Sequence, residues 1–151
     1  MHLLIRAPDV EELPALSELC MRSKAVWSYD AAFMEACRRE LSFDPRDLQS
    51  SHIAVAARGR DVVGVAQVKA AGNEADLAKL FVEPAAMRSG VGQALFAWAL
   101  NTARALGVSR LIIEADPDAA PFYRRLGARD AGLARSGSIA GRMLPKLVLE
   151  L

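Results

Sequence analysis

The stretch Met87-Arg88-Ser89-Gly90-Val91-Gly92 links an apolar strand pattern ending at Val82 to a helical pattern beginning at Val91. A change of direction needs one glycine; two, one residue apart, point to a backbone that something approaches closely. The first amides of a helix lack intrahelical acceptors, and the helix dipole adds partial positive charge there. Glycines keep side chains away from those amides, so the stretch suits a phosphate, with Arg88 adding a cation and Ser89 a hydroxyl. It is not a P-loop, because Gly92 is followed by Gln93 and Ala94 instead of Lys and Ser or Thr. It is not a dinucleotide fingerprint either, because Leu95 stands at the third glycine position and several strand patterns precede it. Taken alone, the stretch also fits an ordinary strand-to-helix turn.

Other chemistry-bearing residues are sparse. Tyr123 lies in "DPDAAPFYRRLG", where its phenol, with an ordinary pKa of about 10, is protonated at neutral pH and its ring suits packing on a short helix. Glu74, Asp76, Glu83 and Glu114 flank the strand patterns and are each either a base or a solvated carboxylate. Cys20 and Cys37 lie far from the glycines, and no Gly-x-Ser-x-Gly elbow occurs, so no covalent nucleophile is indicated. His2 and His52 are too far apart for a zinc spacing, and no metal site is expected.

These residues need elements to position them. "HLLIR" reads as a short strand; Asp9 three before Glu12 starts a helical pattern that carries Pro14 in its first turn and breaks at Ser23. Ala31 to Leu41 resumes the helical period, and "FDPRDLQSS" reads as a turn. His52–Ala57 and Val62–Val68 read as a hairpin around "RGRD", and "AGNE" reverses the chain into a strand from Ala75 to Val82. A long helix from Val91 to about Leu106 ends at Gly107. Arg110–Ala115 reads as a strand covered on both faces. Asp-capped "DPDAAPFYRRLG" supplies a short helix, and the tail gives two strands joined around "SGSIAG". This order is a mixed α/β sandwich in one domain over residues 1–151.

The 19 Lys+Arg and 18 Asp+Glu nearly cancel, which offers no electrostatic case for a nucleic-acid partner. With no run of eighteen apolar residues and no signal-peptide pattern, the expectation is a cytoplasmic protein without a membrane partner, its two cysteines reduced.

"LFVEPAAMRSGVGQAL" followed by "DPDAAPFYRRLGA" closely resembles the GCN5-related N-acetyltransferase (GNAT) superfamily, whose members transfer an acyl group from coenzyme A. The family loop runs Gln/Arg-x-x-Gly-x-Gly/Ala; Gly90 and Gly92 match it, and Met87 departs from its first position. The later signature, Asn-x-x-Ala-x-x-x-Tyr-x-x-x-Gly-Phe, is matched in spacing by Asp116, Ala119, Tyr123 and Gly127, with Asp for Asn and Ala128 for Phe. The order of elements fits from about Leu3 to Leu149, although specific motifs lie only in the second half.

The resemblance implies an α+β, three-layer fold: a mixed, mostly antiparallel sheet of about six to seven strands flanked by about four helices. It implies acetyl-CoA as co-substrate and direct attack by an amine in a ternary complex. Free backbone groups at a bulge near Leu80, Phe81 and Val82 would hold the pantetheine arm. Met87, Arg88, Ser89, Gly90, Val91, Gly92, Gln93 and Ala94 would hold the pyrophosphate, with Ala119, Phe122 and Tyr123 also on the coenzyme side. Tyr123 would protonate the departing thiolate. Glu114 and Glu83 are candidates for the base, with Glu114 leading, as are Glu74 and Asp76 if a water relays the proton. The acceptor is expected between the first two helices and the last strand pair. Trp27 and Tyr29 would wall it, and Asp30 or Glu35 would attract an ammonium; Ser138 and Arg142 would reach a carboxylate or shape a turn. A small primary amine leads a protein N-terminus or lysine as acceptor, and a coenzyme-binding module without turnover is the rival. The tail "KLVLEL" suggests a possible homodimer.

Overall fold

In the computed structural model, which describes residues 2–151, Leu3–Arg6 extend as β1. The chain then turns: the Asp9 amide donates to Glu12 Oε1 at 2.9 Å, and Arg6 grips the same carboxylate at 2.8 and 2.9 Å. Helix α1 (Leu13–Ala25) follows with Pro14 in its first turn, where a missing N–H costs no helical bond. The pattern break at Ser23 does not end this helix. Ser23 is buried, and Arg22 and Lys24 in the last turn suit the negative end of the helix dipole. Asp30 accepts from the Phe33 amide at 2.8 Å and starts α2 (Ala31–Leu41). The expected turn "FDPRDLQSS" contains a single helical turn, α3 (Asp47–Ser50), tied by the Asp44 amide donating to Asp47 Oδ2 at 2.8 Å.

β2 (His52–Arg58), β3 (Asp61–Ala71) and β4 (Glu74–Val82) form an antiparallel meander. Its two tight turns place Gly59 and Gly72 at φ of +61° and +63°. Helix α4 (Val91–Ala105), β5 (Arg110–Glu114), α5 (Ala120–Arg125), β6 (Arg129–Arg135) and β7 (Met143–Glu150) complete the chain. The seven strands lie in the order β1-β2-β3-β4-β5-β7-β6, antiparallel except where β4 meets β5. The expected Asp caps of α5 act one step earlier: Asp116 caps the preceding turn through the Asp118 amide (3.0 Å), and Ala119 occupies the helix N-cap.

Three layers result. Leu13, Leu16, Leu19, Cys20, Cys37 and Leu41 of α1 and α2 pack on Ile53, Val55 and Val65 of the sheet. On the opposite face, Val91 and Leu95 of α4 press on Ala56 and Ala66, while Phe96, Ala99 and Ala103 meet Leu77, Leu111 and Ile113. Burial of each large side chain here contributes about 1.5–3 kcal/mol. α4 sits close because the sheet beneath it is made of small residues: a Cβ on Gly64 would lie 2.8 Å from Leu95 Cδ1 and 2.9 Å from Val91 Cγ1.

The closing "KLVLEL" segment is spent inside the chain. β7 pairs with β5 on one side and β6 on the other, and Leu147 and Val148 are buried, so this segment offers no free edge to a second copy. Among the described residues, no helix is long and apolar enough to cross a membrane.

Candidate active site

β4 and β5 run side by side only from Glu74↔Arg110 to Asp76↔Ile112, and then part. Beyond that point β5 continues against β7 and β4 against β3, which opens a gap in the middle of the sheet. The register between β3 and β4 shifts after Gln67↔Lys79, leaving Ala78 as the extra residue of a bulge. The bulge lies slightly earlier than Leu80–Val82. Its consequence falls on those residues all the same. The Glu83 amide donates to Val63 on β3, so by strand alternation the backbone groups of Leu80 and Val82 face the gap, and those of Phe81 face β3.

The turn after β4 points its amides outward. Among the described residues, the N–H groups of Arg88, Ser89, Gly90, Val91, Gly92 and Gln93 donate to no protein atom; the first bond of α4 runs from the Ala94 amide to the Gly90 carbonyl at 3.0 Å. The free set therefore ends at Gln93, and the Ala94 amide is already committed. Arg88 (φ +61°) and Gly90 (φ +88°) both adopt left-handed geometry, which turns successive amides toward one concavity. Gly90 meets nothing within 4 Å of its missing Cβ. Gly92 differs, since a Cβ there would sit 3.3 Å from Phe122 Cζ; this glycine admits the α5 ring against α4.

Arg58, at the end of β2, braces the turn. It donates to the Ser89 hydroxyl at 3.1 Å and to the Ser89 carbonyl at 2.9 Å, and the Ser89 hydroxyl in turn donates to the Ala86 carbonyl. The Ser89 hydroxyl is thus committed to holding the turn, with the amide left for the concavity. Met87 is partly buried, and Arg88 and Gln93 are exposed at the rim.

Tyr123 lies on the α4 side of the sheet, its ring 5.7 Å from Phe96 and 5.1 Å from Phe122. Burial pushes its phenol well above the ordinary tyrosine range. Among the described residues, its hydroxyl bonds to no protein group and is not fully enclosed. Ala119 and Phe122 pack beside the same core.

The carboxylates differ in their surroundings. Glu83 is held by Arg22 at 2.7 and 2.8 Å, which lowers its pKa and occupies both oxygens. Ala75 and Leu77 point into the α4-side core, so Asp76 projects to the opposite face, at the last position where β4 and β5 still pair. Partial burial raises its pKa, and nearby Glu74 adds to the rise. Glu114 is exposed on that same face, because Ile113 and Ala115 on either side of it are buried toward α4 and α5.

On the α1–α2 side, Asp116 gathers a cluster. The Tyr29 hydroxyl donates to Asp116 Oδ2 at 2.5 Å, Lys24 Nζ lies 3.3 Å from the same oxygen, and Arg142 Nη2 lies 3.6 Å away. Arg142 also donates to the Tyr29 hydroxyl oxygen at 2.7 Å. Tyr29 stacks on Phe33 at 4.0 Å. Burial, followed by the Asp116 contact, pushes the Tyr29 phenol up to about 12. Trp27 is outside this cluster and 40% exposed, Asp30 caps α2, Glu35 pairs with Arg38, and Ser138 donates to Glu40 at 2.7 Å. Arg58 and Lys24 were not named as site residues from the sequence, since their partners Ser89 and Asp116 lie 31 and 92 residues away, where no local pattern marks them; Phe33, four residues after Tyr29, was read only as part of the α2 helical pattern. Both cysteines are buried and unpaired, and burial pushes the Cys20 thiol up to about 12.

The acetyltransferase (GNAT) domain model matches residues 15–136. The chain belongs to that family. The PaiA N-acetyltransferase of Thermoplasma acidophilum, solved in complex with coenzyme A, superposes with a TM-score of 0.81 at 18% identity over 100% of both chains. A GCN5-related N-acetyltransferase from Rhodopseudomonas palustris gives 0.82 at 20% identity, covering 100% of this chain and 97% of its own. A ribosomal-protein-alanine N-acetyltransferase from Brucella melitensis gives 0.71 at 25% identity, covering 98% and 99%. No curated protein matches the sequence.

Proposed function

We propose that this chain transfers an acetyl group from acetyl-CoA to a small primary amine, both substrates being bound at once. The observation that carries this is the run of partnerless amides from Arg88 through Gln93, opening beside the gap between β4 and β5. Those amides, with the positive end of the α4 dipole, hold the diphosphate of the carrier. Leu80 and Val82 offer main-chain groups to its amide-bearing arm, and Ala119 and Phe122 line its path. The bound thioester supplies the activated acyl carbon.

The residues of this chain then manage two protons. The acceptor arrives as an ammonium and must lose one before its lone pair can attack. Glu114 and Asp76 take it up, directly or through water; the raised pKa of Asp76 brings it nearer to working pH. As the C–N bond forms, the C–S bond breaks and Tyr123 gives its proton to the thiolate; the second proton of the acylated nitrogen leaves through water, which returns a proton to the phenol. Glu83 is set aside, because Arg22 already saturates its oxygens.

The test is free-thiol release from acetyl-CoA across a panel of amines, with product masses confirmed, beside thermal unfolding with and without acetyl-CoA. Ligand at 100 times its dissociation constant is expected to stabilise the protein by about 2.7 kcal/mol. No stabilisation and no thiol release with any amine would contradict the proposal.

A further inference from the structure

Lys24 and Arg142 converge on a single carboxylate. Among the described residues, Asp116 is the one acidic group within 4 Å of either cation. The third polar member, Tyr29, is neutral at physiological pH, since its phenol is pushed up to about 12. The cluster therefore carries one positive charge in excess, and it does so out of full contact with water: the side chains of Lys24, Asp116 and Arg142 are 13%, 11% and 19% exposed. Removing charges from water costs free energy that a single carboxylate only partly offsets here.

The donors are also not used up. Of the three ammonium protons of Lys24, one goes to Asp116; of the five guanidinium protons of Arg142, one goes to Tyr29. The cations are nonetheless held in place. The stacked rings of Tyr29 and Phe33 lie 5.3 and 5.8 Å from Lys24 Nζ, and 5.2 and 4.9 Å from Arg142 Cζ. Asp116 is fixed from below by the Asp118 amide. Two positioned cations with unused donors, biased by one net charge, form an anion subsite.

Its position indicates whose anion. Asp116 follows Glu114 by two residues at the end of β5, roughly 7 Å along the extended chain. Glu114 and Asp76 sit on the same face of the sheet. A molecule whose ammonium lies by these carboxylates places a group a few bonds away against Lys24 and Arg142. We infer that the acceptor amine also carries a carboxylate, bound by Lys24 and Arg142, so that the acceptor is a small amino acid. This rests on the acetyltransferase reading above and narrows its substrate class.

The experiment measures thiol release from acetyl-CoA with each protein amino acid beside its own carboxamide. The carboxamide keeps the amine and side chain and removes only the charge. At least one amino acid is expected to exceed its carboxamide in kcat/KM by roughly 100-fold, since the amide leaves the excess buried positive charge uncompensated. In Arg142→Gln, that ratio is expected to fall by roughly tenfold, through KM more than kcat. The comparison in the unaltered protein stands even if the variant folds poorly. Carboxamides or plain alkylamines turned over as well as the acids would overturn the inference and leave the acetyltransferase reading intact. Stabilisation by acetyl-CoA with no amino acid acetylated would overturn it in the same way. No stabilisation by acetyl-CoA, with no amine accepted, would instead remove the reading beneath it.

Discussion

At Tyr123 the proposed reading assigns one role, protonation of the departing thiolate. Its ring packs against Phe96 and Phe122, which disfavours the phenolate and keeps the proton on oxygen at neutral pH. Among the described residues, its hydroxyl has no protein partner to lose. Tyr123→Phe is therefore expected to keep the fold and the stabilisation by acetyl-CoA, while kcat falls roughly 10²-fold or more, as for a lost general acid. An unchanged kcat would reduce Tyr123 to a packing ring and favour a coenzyme-binding module. The spacing Asp116–Ala119–Tyr123–Gly127 was legible because the whole motif sits on one short turn and helix. The partners of Asp116 were not. Lys24 lies 92 residues from it, and Tyr29 lies 87 away, so only the folded chain brings them together.

At the scale of elements, α4 does two jobs at its N-terminus. It packs on the sheet and presents amides to solvent. Gly64→Ala places a methyl group against Leu95 and Val91 and is expected to destabilise by about 1–3 kcal/mol, read from denaturant unfolding. A change under about 0.5 kcal/mol would mean that the helix moves away easily. Gln93→Glu tests the other job. The added carboxylate is expected to stabilise the free protein by about 0.3–1 kcal/mol through the helix dipole. The same charge is expected to weaken acetyl-CoA binding by roughly tenfold through repulsion of phosphate. Equal or tighter binding would place the diphosphate elsewhere. Gly92→Asp is a poorer probe, because the new side chain also disturbs Phe122.

The start of α1 carries a pH signature. Arg6 lowers the Glu12 pKa from 4.5 to about 2. Because the folded value lies below the unfolded one, the stability it contributes is present above about pH 4.5 and is lost as pH falls toward 2. An NMR titration is expected to find Glu12 far below ordinary glutamates and Arg6→Gln to return it; an ordinary value in the parent protein would contradict the pairing. Elements marked by strong periods and glycine punctuation, such as α2, α4 and both hairpins, were legible in the sequence. The end of α1 and the single turn of α3 were not, since buried Ser23 and an Asp44–Asp47 bond decide them.

At the scale of the whole molecule, the decisive feature is a strand order that departs from chain order. β5 enters between β4 and β7, stays parallel to β4 for three positions, and leaves the sheet split above them. No local pattern encodes that insertion, because strand pairing is set by contacts distant in sequence; the family resemblance implied a mixed, mostly antiparallel sheet but not this strand order. The split sets two surfaces back to back. The α4 side holds the free amides and Tyr123, and the α1–α2 side holds Glu114, Asp76 and the Asp116 cluster. On the proposed reading, the carrier lies on the first side and the amine on the second, and the two meet through the gap.

The central claim is that the amides from Arg88 through Gln93 grip the carrier's diphosphate. Titrating ¹⁵N-labelled protein with acetyl-CoA and following the backbone amide resonances tests it most directly. The largest shifts are expected at Ser89 to Gln93, with smaller ones at Leu80 and Val82. Saturable binding that leaves those amides unmoved, or no binding at all, would contradict it.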